Sequence, residues 1–159
     1  MRELQTRRSM VARRLDVTRA VDERNVVGPS PVEFLLQSIG RVPGVVVDLS
    51  DVTGDYQIYS PEMIEERVEV RKGDILIIHT GYHHFGWDMP TADEIRYMVQ
   101  HPGPDREFAV WAKQKKLSWI GVDCGSADHP MNTIIRDWMP RQAAEAEAHF
   151  QAKYGKGVA

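Results

Sequence analysis

The stretch ILII at residues 75–78 decides the fold, because four large apolar residues stand in a row without a polar interruption. Two similar runs flank it along the chain, VVVDL at residues 45–49 and WIGVD at residues 119–123. Short and nearly continuous apolar runs are typical of strands that are buried on both faces of a sheet. The three runs therefore predict the core strands of one sheet.

Helix signals alternate with these three runs. Ser60 and Pro61 predict a helix start between the first two runs, and residues 106–116 supply apolar helical surface between the last two. Residues 141–153 are rich in Ala, Glu and Gln, which predicts a final helix that ends at Gly155. Strands that alternate with helices predict one α/β domain with a mixed or parallel, largely buried sheet.

The start of the chain differs in charge from the remainder. Residues 1–24 hold seven arginines against four acidic residues. A loose apolar stripe predicts a helix over residues 2–24, and such a thin stripe would pack on another chain or fray. We therefore divide the chain into a basic, helical N-terminal arm at residues 1–27 and an α/β domain at residues 28–159.

Composition narrows the class of protein. The 159 residues are 27% charged and 42% hydrophobic, which is typical of one soluble globular domain. A net charge of -3 gives the whole chain no electrostatic basis for binding nucleic acid. The single cysteine, Cys124, excludes an internal disulfide and predicts a cytoplasmic protein. Because no apolar run approaches about 18 residues, no membrane span is predicted.

The order of motifs resembles that of a known enzyme family. HTGY at residues 79–82, HPGP at 101–104 and IGVDCGSADHP at 120–130 follow one another as in the cyclase family, which includes kynurenine formamidases and isatin-hydrolase-like enzymes. The resemblance covers about residues 43–140. It implies a swivelling β/β/α-type fold and hydrolysis of a C–N bond in an amide or cyclic amide. It also implies a divalent metal, zinc or manganese, that activates water.

The family's metal motif, His-x-Gly-Thr-His-x-Asp-x-Pro, has no counterpart in this sequence. The corresponding region, about residues 22–44, contains no histidine, and no His and Glu pair after the last matched helix aligns with the family's other ligands. We therefore predict no metal ligand in this chain and expect a partner chain, in a homo- or hetero-oligomer, to supply the ligands. A shortened, non-catalytic binding or assembly protein and an incomplete product of a longer reading frame are the alternatives.

A substrate pocket is predicted after the strand at residues 75–78. Tyr82, His83, His84 and Trp87 form an aromatic, hydrogen-bonding loop where pockets of α/β sheets often lie. We predict that these four residues and His101 contact a small amide-type substrate. A surface loop with packed aromatic residues is the alternative for the first four. A rigid turn before the next helix is the alternative for His101, because a proline follows it.

Three further possibilities come from individual residues. Asp123 ends a predicted strand, where it could be catalytic or could accept hydrogen bonds from the backbone of the turn at residues 125–126. Cys124 with His129 could form a thiolate nucleophile and its base. A metal site within this chain could be built from His83, His84, His101 and Asp128.

Overall fold

The computed structural model describes residues 12–16, 43–155 and 157. In chain order the elements are β1 (Ala12–Asp16), β2 (Pro43–Asp48), β3 (Ile58–Tyr59), α1 (Pro61–Glu65), β4 (Ile75–His79), a 3-10 turn (Tyr82–Phe85), a π-helical turn (Arg96–Gln100), β5 (Gly103–Pro104), α2 (Arg106–Lys115), β6 (Trp119–Val122), a second 3-10 turn (Pro130–Asn132), α3 (Ile135–Trp138) and α4 (Pro140–Tyr154). The predicted α/β class is confirmed.

The main sheet has the strand order β1-β2-β4-β6. β2, β4 and β6 run parallel to one another, whereas β1 is antiparallel to β2, so the sheet is mixed as predicted. The register places Asp48 beside His79 and Ile78 beside Val122. The carboxyl ends of the three parallel strands therefore meet at one edge, and the residues that follow them come together there.

Burial explains why the three apolar runs form these strands. Alternate side chains of β2 and β4 are almost fully buried, in a core that contains Val45, Val47, Leu49, Tyr59, Ile64, Val70, Leu76, Ile78 and Phe108. Strand β6 is less covered, because Trp119 is 59% exposed. Val46 of β2 and Ile77 of β4, on the other face, are only partly buried, so the expected burial on both faces holds in part for all three strands. A second core under α4 contains Tyr56, Val99, Met131, Ala146 and Phe150.

The predicted helix boundaries are confirmed by their caps. The Ser60 hydroxyl accepts a hydrogen bond from the backbone of Met63 at the start of α1, and the Asp105 carboxylate accepts two at the start of α2. Gly155 follows α4 with a φ of 65°, a left-handed conformation that glycine adopts without strain.

The helix predicted over residues 2–24 is wrong where the structure describes that segment. Ala12–Asp16 forms strand β1, which pairs with β2. A helix with so thin an apolar stripe buries little, whereas a strand here pairs its backbone groups with the edge of β2. The remainder of the arm at residues 1–27 lies outside the described residues. The division at residue 27 stays a prediction.

No helix in the described part of the chain is both long enough and apolar enough to cross a membrane.

Gly103 shows how tightly the second core is packed, because its backbone lies directly against His129. A Cβ atom at position 103 would lie 2.3 Å from the Cα atom of His129. We expect Gly103→Ala to lower the free energy of unfolding by about 3 kcal/mol in urea denaturation, since backbone would have to move. Gly54→Ala is the matched control, because its Cβ would meet only Gln57 at 3.8 Å. Equal stability of the two variants would contradict this packing.

The buried imidazole of His129 predicts a pH dependence of stability. Burial lowers the pKa of His129 from 6.5 to about 4. Its Nδ1 accepts from the Met131 backbone and its Nε2 lies 3.1 Å from the Tyr56 carbonyl oxygen, so a proton on Nδ1 would face an N–H donor. A lowered histidine pKa gives stability that is present above the unfolded-state value and is lost as the pH falls towards 4. Between pH 7 and pH 5 we expect a loss of about 2 kcal/mol.

Chemical denaturation at the two pH values measures this loss. His129→Gln should be less stable at pH 7 but should lose much less stability at pH 5. The pKa of buried His101 is lowered as well, again by burial, so the variant keeps part of the dependence. If His129→Gln loses as much stability between pH 7 and pH 5 as the wild-type chain does, His129 is not the source of the pH dependence.

Candidate functional site

Asp123 joins the ends of β4 and β6. It directly follows β6, and its Oδ1 accepts hydrogen bonds from the Thr80 amide at 2.7 Å and the Thr80 hydroxyl at 2.6 Å. Its Oδ2 accepts from the Gly81 amide at 2.8 Å. The carboxylate therefore binds the turn after the neighbouring strand, and the alternative that it bonds the backbone at residues 125–126 is not what the structure shows.

Two histidines converge on the same carboxylate. Nδ1 of His79 lies 2.8 Å from Oδ2 of Asp123, and Nδ1 of His83 lies 3.1 Å from it. His79 is the last residue of β4. His83 reaches the same place because Gly81, with a φ of 83°, reverses the chain just before the 3-10 turn. We call His79, His83 and Asp123 the His-His-Asp cluster.

The cluster has the donor atoms of a divalent metal site. The two ring nitrogens and the carboxylate oxygen all lie within 4.8 Å of one another. Imidazole and carboxylate are common ligands of zinc, and ligand atoms around a tetrahedral ion lie about 3.4 Å apart. The donors therefore fit an ion in kind and nearly in spacing. The prediction that this chain contributes no metal ligand stays untested. The alternative is that the His-His-Asp cluster itself binds the metal.

Asp123 is held in its charged form. Burial raises the pKa of its carboxyl group, but the hydrogen bonds from Thr80, His83 and Gly81 outweigh burial and leave the pKa below its ordinary value. The side chain is only 17% exposed, whereas those of His79 and His83 are 34% and 43% exposed. The cluster thus combines a partly buried anion with two imidazoles that solvent can reach.

A cavity of about 390 Å³ lies beside the cluster. It is lined by Ser50, Thr53, Gly54, His79, Thr80, Gly81, Tyr82, His84, Phe85 and Arg96. His79 belongs both to this lining and to the cluster, so a molecule in the cavity would lie next to a candidate metal ligand.

Asp55 organises another part of the cavity wall. The Tyr82 hydroxyl donates to Oδ1 of Asp55, and so do Nε and Nη2 of Arg96, at 3.1 and 2.9 Å. The Arg96 guanidinium also lies 4.1 Å from the centre of the Phe85 ring. Arg96 begins the π-helical turn, and that turn packs on Gly125, whose amide donates to the Tyr97 carbonyl oxygen at 3.0 Å.

The five predicted substrate-binding residues occupy different surroundings. Tyr82 and His84 line the cavity, and His83 belongs to the cluster. Trp87 is 94% exposed and is not part of the lining. His101 is fully buried, with its Nδ1 2.8 Å from the Pro102 carbonyl oxygen, and is not part of the lining either. Contact with substrate stays a prediction for all five.

The thiolate possibility has no support in the geometry. Burial raises the pKa of Cys124 to about 12, and its Sγ donates to the Ser126 carbonyl oxygen. Both ring nitrogens of His129 are engaged by backbone groups, so this histidine cannot act as the base for the thiol. Of the four residues considered for a metal site within the chain, only His83 belongs to the candidate group in the described residues.

Three residues of the site were missed from the sequence. His79 could have been found, because it ends a buried strand and stands four residues before His83. No local sequence pattern predicts the contact between Arg96 and Asp55, because 41 positions separate them along the chain. They meet only because the π-helical turn folds back onto the loop after β2.

Comparison with known proteins identifies the family of this chain. Residues 17–129 match the model of the Cyclase family, described as "Putative cyclase", and this match covers more than half of the chain. The chain belongs to the cyclase family. The resemblance drawn from the sequence is therefore confirmed. No curated protein and no solved structure gave a significant match.

Asp123 should be essential to the stability of this cyclase-family chain. In Asp123→Asn, one acceptor oxygen becomes an NH₂ donor that must face either the two Thr80 donors or the Gly81 amide. We expect a loss of about 3 kcal/mol in the free energy of unfolding. Asp128→Asn, on the exposed loop, is the matched control and should change stability by less than about 0.5 kcal/mol. Similar stabilities for the two variants would refute this role.

Proposed function

We propose that this cyclase-family chain is a metal-dependent hydrolase that cleaves the C–N bond of an amide or cyclic amide. The observation that carries the proposal is the convergence of His79, His83 and Asp123 beside a cavity of about 390 Å³. The cyclase family is generally metal-dependent, and this cluster offers three donors of the right kind. Three protein ligands with an open position are typical of catalytic zinc sites.

The cluster residues would hold the ion through the Nδ1 atoms of His79 and His83 and the Oδ2 atom of Asp123. A divalent ion bound there would supply an activated water beside the cavity. The chain's own contribution is orientation. Thr80 and Gly81 fix the carboxylate, and the 3-10 turn fixes His83 relative to His79.

Hydrolysis of an amide adds a hydroxyl group to the carbonyl carbon and a proton to the departing nitrogen. We assign the transfer of this proton to His84. It is exposed, it lines the cavity, and its ring centre lies 3.9 Å from that of His83. Histidine is the side chain that most often exchanges protons in catalysis. Tyr82 would bound the cavity on the side of Asp55.

A partner chain that brings the metal ligands is the second candidate arrangement, within a homo- or hetero-oligomer. It is favoured by one observation, which is that Asp123 already accepts hydrogen bonds from the Thr80 and Gly81 backbone and lies at hydrogen-bonding distance from both histidines. The carboxylate oxygens and the two Nδ1 atoms therefore have partners without an ion. A non-catalytic binding or assembly protein would require no ion at all.

Metal analysis tests the proposed site. The wild-type chain, loaded with zinc or manganese and desalted, should retain about one ion per chain and hydrolyse a small aryl formamide. His79→Gln and His83→Gln should each lower metal affinity at least about tenfold, because each removes one ligand. His149→Gln is the matched control, since His149 lies on α4 outside both the cluster and the cavity lining.

Each outcome points to one of the arrangements. Unchanged metal content in both cluster variants would sink the His-His-Asp site. Metal and turnover that appear only when a second chain is present, as seen by native mass spectrometry, would support the partner arrangement. Absence of metal and turnover in every preparation would support the binding protein.

A further inference from the structure

The cavity beside the His-His-Asp cluster is lined by cationic and neutral groups. None of its lining residues in the described part of the chain is acidic, and Arg96 is one of them. The other polar side chains of the lining are neutral hydroxyl groups and imidazoles, which belong to Ser50, Thr53, His79, Thr80, Tyr82 and His84. A cavity with this lining suits a ligand that carries a negative charge.

The Arg96 guanidinium is held in a fixed orientation from two directions. Asp55 accepts from its Nε and Nη2 atoms, and the Phe85 ring lies against it at 4.1 Å. The two side chains of the ion pair are 38% and 39% exposed. An ion pair this accessible contributes little to folding stability, so its main effect is to orient the guanidinium.

The orientation leaves a second set of donors on the same group. A guanidinium has five N–H donors in a planar fork. Asp55 takes those on the side of Nε and Nη2, so the end of the fork formed by Nη1 and Nη2 can still bind two oxygen atoms. A carboxylate matches that pair of donors in spacing and in charge.

We infer that the substrate of this cavity carries a carboxylate group and that Arg96 binds it. Asp55 offsets part of the positive charge, and its Oδ1 atom also accepts from the Tyr82 hydroxyl, which spreads the negative charge over three donors. Recognition therefore depends on the paired geometry of the fork as well as on charge. That the ligand is an amide substrate rests on the proposed function. That it carries a carboxylate rests on the cavity and Arg96 alone.

Binding of benzoate and benzamide tests the inference, because the two probes differ only in the carboxylate. Isothermal titration calorimetry with the full, metal-loaded chain should show that the wild-type protein prefers benzoate. Arg96→Gln should weaken benzoate binding by about tenfold or more and leave benzamide binding unchanged. Arg96→Lys keeps the charge without the fork, and should weaken benzoate binding by a smaller factor. Arg141→Gln, an exposed arginine on α4, is the matched control.

The outcomes separate this inference from the proposed function. Equal benzoate affinity in the wild-type and Arg96→Gln proteins would overturn it, and so would benzoate binding that depends on the metal alone. If Arg96→Gln does not fold, an undiminished affinity in Arg96→Lys would overturn it. Failure to hydrolyse any amide, with Arg96-dependent benzoate binding intact, would refute the hydrolase and leave the carboxylate site standing.

Discussion

The site depends on one partly buried carboxylate. Asp123 accepts hydrogen bonds from two consecutive backbone amides and a hydroxyl at the end of the neighbouring strand. These bonds fix the turn at Thr80 and Gly81, and that turn decides where the 3-10 turn and His83 lie. A carboxylate that accepts several bonds from charged or backbone donors stays ionised even when it is buried. The same group thus organises the fold locally and supplies negative charge to the cluster.

The fold could be predicted from the sequence because its signals are local. Three apolar runs predicted β2, β4 and β6, and Ser60 and the apolar surface of residues 106–116 predicted the helices α1 and α2. Strand β1 could not be predicted in the same way. Its sequence contains two consecutive arginines and no alternation of apolar residues, and it is a strand because it pairs with β2. Pairing between distant segments is a tertiary effect that no local pattern records.

The site was predictable only where one loop carries it. Tyr82 and His84 were found because aromatic and polar residues after a buried strand are typical of pockets in α/β proteins, and both line the cavity. His101 attracted attention for its residue type, but burial and a backbone hydrogen bond account for its position. The pairing of Arg96 with Asp55 required the fold, because it joins two segments with no common motif.

The short segment from Asp123 to Gly125 has a consequence for how such a protein could change. Asp123 anchors the histidines, and Gly125 supports the π-helical turn that carries Arg96, with so little room that a Cβ atom would lie 2.8 Å from the Met98 sulfur. The proposed metal cluster and the proposed carboxylate-binding arginine are therefore linked through three consecutive residues. An exchange of the side chain at position 96 would alter the cavity lining alone, whereas an insertion near Gly125 would disturb the cluster and the π-helical turn together.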